Sequence, residues 1–157
     1  MLFRSGLDAG LAGSSIQVVE TLSDAHKSPT AHKNALEAMA KHPDAAAIVG
    51  IYGYHGPAIL TAVRGAGKAG QVKIVCFDEH SDTLDGIATG EIFGTVVQQP
   101  LSIGFQTITR MEKYLRGDKT QLSGGKILLS SRVITKDNVE SFQATQKNFL
   151  RMQAPEK

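Results

Sequence analysis

The chain has 157 residues, with 17 Lys+Arg against 15 Asp+Glu, five His, one Cys and no Trp, and a formal net charge of +2. That length holds one domain, or about five strand–helix units of roughly 30 residues, and needs neither disulfides nor a structural metal to support its core. A single cysteine excludes a disulfide framework and multi-cysteine zinc or iron–sulfur sites, and scattered basic residues leave no footprint for nucleic acid or an anionic membrane. A hydrophobic fraction of 41% with 20% charged residues is ordinary globular composition. No run is long and apolar enough to span a bilayer. The opening Met1-Leu2-Phe3-Arg4-Ser5-Gly6 has no apolar secretory core before Asp8, which taken alone reads as cytosolic.

Strand and helix signals alternate along the chain. Ile16–Thr21 is a β-branched run and predicts a strand. Ser28-Pro29-Thr30 opens a helix, with Ser28 as N-cap and Pro at its first position. Its apolar face is Ala31, Ala35, Leu36 and Met39, and His42-Pro43-Asp44 stops it. Ala46–Tyr52 is the next strand. Pro57 starts a helix with Ala58, Ile59, Ala62, Val63 and Ala66 on one face and Gly67 at its end.

Val72–Phe77 is a third strand, apolar enough to suit a parallel sheet covered on both faces. Ser81–Thr89 predicts a short helix closed by Gly90, and Ile92–Val97 a fourth strand. A long helix follows from Pro100, with Leu101, Phe105, Ile108, Met111 and Leu115 on one face. Ser123-Gly124-Gly125 is a turn. Lys126–Leu129 and Arg132–Ile134 are short strand candidates, Thr135–Phe149 holds a last helix, and Arg151–Lys157 is a loose tail. The order predicts an α/β fold with a parallel sheet and right-handed crossovers.

Ligands of open α/β sheets bind where the strands end at their carboxyl side, because helix N-termini and unpaired loop backbone converge there. The loops to inspect are Ser23–His26, Tyr52–Gly56, Asp78–His80 and Gln98-Gln99. Carboxylates and amides beside flat rings suit a polyol or sugar: the former bind hydroxyls and the latter pack on C–H faces. Each group also has a plain structural reading. Asp78 could cap the helix near Ser81, Gln98 could tie a loop, and Tyr52 and Tyr54 could be packing residues. His26, His32 and His42 read as solvated, and Cys76 as an inert strand-interior thiol. Gly65-Ala66-Gly67-Lys68 lacks the rest of a phosphate loop. Asp78, His80 and Asp82 lack a second cluster to complete a metal shell, and no nucleophile pattern surrounds Cys76. No cofactor, metal or catalytic residue is implied.

The segments Lys73–Asp78, Thr83-Leu84-Asp85-Gly86-Ile87, Gly90, Thr95–Pro100 and Gly104 occur in order, and Val133–Val139 closes the series. Together they resemble the type I periplasmic sugar-binding proteins of the ribose-binding kind, substrate-binding subunits of ABC importers. Ala45–Lys68, with Tyr54–Ile59 within it, resembles a subgroup in which Asn is expected where His55 stands. The resemblance runs from about Ile16 to Phe142. It implies a two-lobed clamshell with a monosaccharide in the cleft, a membrane permease as partner and a periplasmic or extracytoplasmic location. Carried over by position, Asp78 accepts from sugar hydroxyls, Gln98 binds one through its amide, and Tyr54 and His55 line the pocket. Asp24 matches only loosely, and Tyr52 is a further candidate from its loop position alone.

The resemblance also implies that residues 6–98 are most of a C-terminal lobe, incomplete at its start. Residues 99–149 are a crossover helix and closing segment that pack on an N-terminal lobe, and 150–157 a loose tail. Because that family's chain is about twice as long, the expectation is a truncated chain whose signal peptide is lost, with its 101–149 face free to associate. The alternatives are the effector-binding core of a sugar-responsive LacI-type repressor and, further off, a small α/β hydrolase using Asp78 with His80 or His55.

Overall fold

A computed structural model describes residues 2–122 and 125–153. Ser123 and Gly124 of the expected turn, and residues 154–157 of the expected tail, lie outside them. The chain runs α1 (Leu2–Leu11), α2 (Ser28–Lys41), β1 (Ala47–Val49), α3 (His55–Gly65), β2 (Lys73–Phe77) and α4 (Ser81–Thr89). It continues with β3 (Gly94–Val97), α5 (Pro100–Leu115), a 3-10 turn (Lys119–Leu122), β4 (Arg132–Ile134) and α6 (Val139–Gln153).

The four strands form one sheet in the order β1-β2-β3-β4. The first three pair in parallel, with Ile48 opposite Ile74 and Cys76 opposite Thr95. The fourth pairs antiparallel to β3, with Val96 opposite Val133, so the sheet is not wholly parallel as expected. The helices α3 and α4 pack together and against β2 and β3, and α6 packs on α4. Ile74, Cys76, Val97 and Ile134 meet Val63, Leu84, Ile87 and Val139 there, each 2% exposed or less. Close approach of α3 to α4 depends on Gly56, where an added Cβ would stand 2.0 Å from Thr83 Oγ1. The helix starts and stops follow local chemistry. Pro29 and Pro100 sit in the first turns of α2 and α5, and Gly90 ends α4 with φ of +84°.

Several expectations change. Ser28 is the first helical residue and Lys27 holds the cap position without a side-chain bond. A helix, α1 (Leu2–Leu11), precedes the first predicted element. Ile16–Thr21 is not a strand: it has no ladder partner, and Ile16 and Val19 are more than 60% exposed. A β-branched run becomes a strand only beside another strand. Side chains hold this segment instead, since Glu20 accepts from Lys41 Nζ at 2.5 Å and His42 Nε2 at 2.9 Å. Lys126–Leu129 likewise forms no strand. The last helix runs on to Gln153, into the segment expected to be loose. Among the described residues the two faces of β2 are not equally covered: Ile74 and Cys76 are buried, whereas Lys73 is exposed and Val75 and Phe77 are half-buried on the other side. No helix among the described residues is long and apolar enough to cross a membrane.

Candidate ligand site at the carboxyl ends of β2 and β3

Asp78 follows the last residue of β2, and Gln98 the last residue of β3, so neighbouring parallel strands deliver both side chains to one edge. Gln98 Nε2 donates to Asp78 Oδ1 at 3.1 Å. The other carboxylate oxygen lies beside Gly53, where an added Cβ would stand 3.5 Å away. The Asp78 backbone is strained, with φ of +67°, a conformation that costs a non-glycine residue about 1–2 kcal/mol. Two bonds hold it there: Asp78 N–H donates to Val96 O at 2.9 Å, and Thr95 Oγ1 donates to Asp78 O at 2.8 Å.

Around this pair is an open concavity of about 580 Å³. Tyr54 and Gly53 form one wall, Pro100 and Ile103 from the start of α5 the other, and Glu79 and His80 the rim. The mixture is an acceptor and an amide beside a ring and apolar carbon, all reachable from solvent. Among the described residues no group of three His, Cys, Asp or Glu side chains converges to hold a metal ion.

The structure brings Asp78, Gln98 and Tyr54 together at this concavity. Asp78 does not cap α4: His80 does, its Nδ1 accepting from Asp82 N–H at 3.2 Å. Nor does Gln98 tie a loop. Its neighbour Gln99 does, donating to Ser130 O at 2.5 Å. Tyr52 stacks on Tyr54 with centroids 5.8 Å apart and planes 5° apart, one layer behind the wall.

Asp24 and His55 are absent from the lining. Asp24 is 7% exposed, and its carboxylate accepts from Tyr54 Oη at 2.5 Å, His55 Nε2 at 2.9 Å and His26 N–H at 3.1 Å. Burial pushes its pKa up, but those donors together outweigh burial and hold it below the ordinary 3.8. Burial, reinforced by Asp24, pushes the Tyr54 phenol up to about 12. His55 Nδ1 accepts from Ile51 N–H at 2.9 Å and Tyr52 N–H at 3.3 Å, so both ring nitrogens are engaged within the protein.

The three histidines expected to be solvated also make ties. His42 bonds Glu20, His32 Nδ1 lies 3.3 Å from Ala58 O, and His26 packs edge-on to Tyr52 at 5.2 Å. Cys76 is fully buried and burial alone pushes its thiol up to about 12, leaving no reactive thiolate. Glu79 and His80 join the expected residues at the rim, and the signal for them in the sequence is their place in the Asp78–His80 loop after β2.

Comparison with known proteins completes the description. Curated protein sequences yield no match. Among solved structures, an ABC transporter solute-binding protein from Agrobacterium vitis, bound with α-D-tagatopyranose, is 27% identical with a TM-score of 0.77 over 86% of this chain and 45% of its own. One from Burkholderia graminis, in complex with D-arabinose, is also 27% identical, with a TM-score of 0.77 over 88% of this chain and 48% of its own. GanP, a glucose-galactose binding protein from Geobacillus stearothermophilus, is 23% identical and shares the fold with a TM-score of 0.71, over 87% of this chain and 48% of its own. The chain therefore spans about half the length of these proteins. The family model for the periplasmic binding protein domain matches residues 2–119, three-quarters of the chain and all of the elements that build the concavity, so the chain belongs to the periplasmic binding protein domain family.

Proposed function

We propose that this chain supplies one side of a monosaccharide site in the solute-binding component of an ABC sugar importer. It acts by binding, without catalysis, outside the cytoplasm, and its partner is a membrane permease. The observation that carries this reading is the Asp78–Gln98 pair, bonded at 3.1 Å beside the Tyr54 ring. A carboxylate and an amide fixed against each other offer adjacent hydroxyls an acceptor and a donor, and the ring offers a face for C–H groups. Asp78 and Gln98 are the polar ligand contacts in this reading and Tyr54 the apolar one, with Tyr52 supporting it. The sugar complexes of the Agrobacterium vitis and Burkholderia graminis proteins support a sugar as the ligand class.

Residues 6–98 form the binding lobe in this reading, and 99–149 a closing segment that packs on a second lobe or another protein surface. The apolar stripe of α5 supports that arrangement, with Leu101, Phe105, Ile108, Met111 and Leu115 all more than half exposed. An open, one-sided concavity buries little of a sugar, so the affinity of this chain by itself is on the order of millimolar. Saturation-transfer NMR with D-arabinose, D-tagatose and D-galactose tests the reading. Signal from at least one sugar, lost in Asp78→Asn, is expected. Submicromolar binding, or sugar signal unchanged in Asp78→Asn, contradicts it.

A further inference from the structure

A polar network joins the turn before α2 to the start of α3, and its members Asp24 and His55, which do not line the concavity, hold the Tyr54 wall. Asp24 Oδ2 receives two side-chain donors, Tyr54 Oη and His55 Nε2, and Asp24 Oδ1 receives the His26 N–H. The turn that presents Asp24 is strained, with Ala25 and His26 at φ of +51° and +59°. The His26 bond, Lys27 N–H to Asp24 O at 3.1 Å, and Asn34 Nδ2 to Ser23 O at 3.1 Å hold that turn in place. On the far side, Gly50 makes room for the imidazole, since an added Cβ would stand 2.4 Å from His55 Cβ.

We infer that Asp24 and His55 are positioning residues, which fix the Tyr54 ring as the wall of the concavity, and that His55 does so as a single tautomer acting like a side-chain amide. The reasoning is one of donors and acceptors. Two backbone N–H groups point at His55 Nδ1, so that nitrogen carries the lone pair. The proton is then on Nε2, where it faces the Asp24 carboxylate. Asp24 in turn takes the Tyr54 hydroxyl proton, so the hydroxyl is no longer free to donate to a ligand and the side chain is pinned at its far end. That ring is fixed on two more sides, edge-on to His55 at 4.6 Å and stacked on Tyr52 at 5.8 Å. An asparagine at position 55 has the same pair, a carbonyl for Ile51 N–H and an amide N–H for Asp24. Alanine has neither.

The inference rests on the sugar reading only for what the wall is used for. Nitrogen-15 NMR of the whole chain, labelled at histidine, is expected to show His55 with Nε2 protonated and Nδ1 unprotonated. The Tyr54 hydroxyl proton is expected to exchange slowly, and to lose that protection in Asp24→Asn. With D-arabinose as probe, His55→Asn is expected to keep the Tyr54 ring shifts and the affinity within about twofold. His55→Ala is expected to move the ring shifts and weaken binding about fivefold, the effect of one lost hydrogen bond, while Asp78 and Gln98 signals stay in place. A purely structural role predicts lower melting temperatures with unmoved Tyr54 shifts, and that result overturns the inference, as does a proton on Nδ1. If His55→Ala does not fold, the tautomer and the Asp24→Asn hydroxyl readout decide. If arabinose perturbs neither Gln98 nor Asp78 in the unmodified chain, the sugar reading fails while the tautomer and Tyr54 measurements still judge the positioning.

Discussion

The two faces of the sheet are built from similar residues and end in different environments. Toward α3, α4 and α6, the row Cys76–Thr95–Ile134 is sealed, each residue at most 1% exposed. One residue on along β2 and β3, and one back along antiparallel β4, the row Phe77–Val96–Val133 faces the other way, with its first two members half-buried and Val133 61% exposed. Alternation along a strand guarantees two faces, but helices decide which of them leaves water. Here the chain's own crossovers cover one, so the folding free energy is concentrated in that layer. The apolar stripe of α5 is likewise uncovered: none of its residues is buried. The candidate site sits between the two regimes, at strand ends anchored in the sealed layer and open toward α5.

Substitutions in the sealed layer test this contrast most severely. Leu84→Ala, at a site 2% exposed, is expected to cost about 2–5 kcal/mol in urea unfolding, whereas Val133→Thr on the open face stays within about 0.5 kcal/mol. Equal costs would break the contrast. A smaller effect, of opposite sign, is expected at the strand end: Asp78→Gly relieves the positive φ and stabilises by about 1 kcal/mol while abolishing sugar binding. A loss of stability there would mean that the Asp78 carboxylate stabilises the fold more than its backbone strains it.

Smaller again is the pH response of the Asp24–Tyr54 pair. Asp24 has its pKa lowered on folding, so its contribution is complete above 3.8 and fades as pH falls through the folded value. Tyr54 is raised to about 12, so its contribution is complete below 10 and fades as pH rises toward 12. Melting temperatures of the unmodified chain are expected to drop at both ends, and Asp24→Asn to flatten the acid limb. An acid limb unchanged in Asp24→Asn would assign that limb to other carboxylates. The smallest effect expected is on α5: Phe105→Ser leaves unfolding within about 0.5 kcal/mol but lowers self-association in sedimentation velocity.

Much of this is legible in the sequence. The α4 boundaries, Ser81 and Thr89, and the apolar stripe of α5 follow from caps and helical spacing, which are local signals. Asp78 and Gln98 were legible because strand ends in an α/β sheet converge. Ile16–Thr21 misled because strand formation depends on a neighbour that the run itself does not encode. The direction of β4 was hidden for a related reason, since a three-residue strand says nothing of how it meets β3. Asp24 and His55 read as pocket residues because a loop position shows which side chains reach a strand end. It does not show that each polar atom already has a partner inside the protein.

The most direct test of the site is an amide-resolved NMR titration of the chain with D-arabinose. Shifts of the Gln98 side-chain amide that saturate with a dissociation constant on the order of millimolar, accompanied by Tyr54 ring shifts and lost in Asp78→Asn, are the predicted result. Shifts confined to residues away from Asp78, Gln98 and Tyr54, or unchanged in Asp78→Asn, would contradict it.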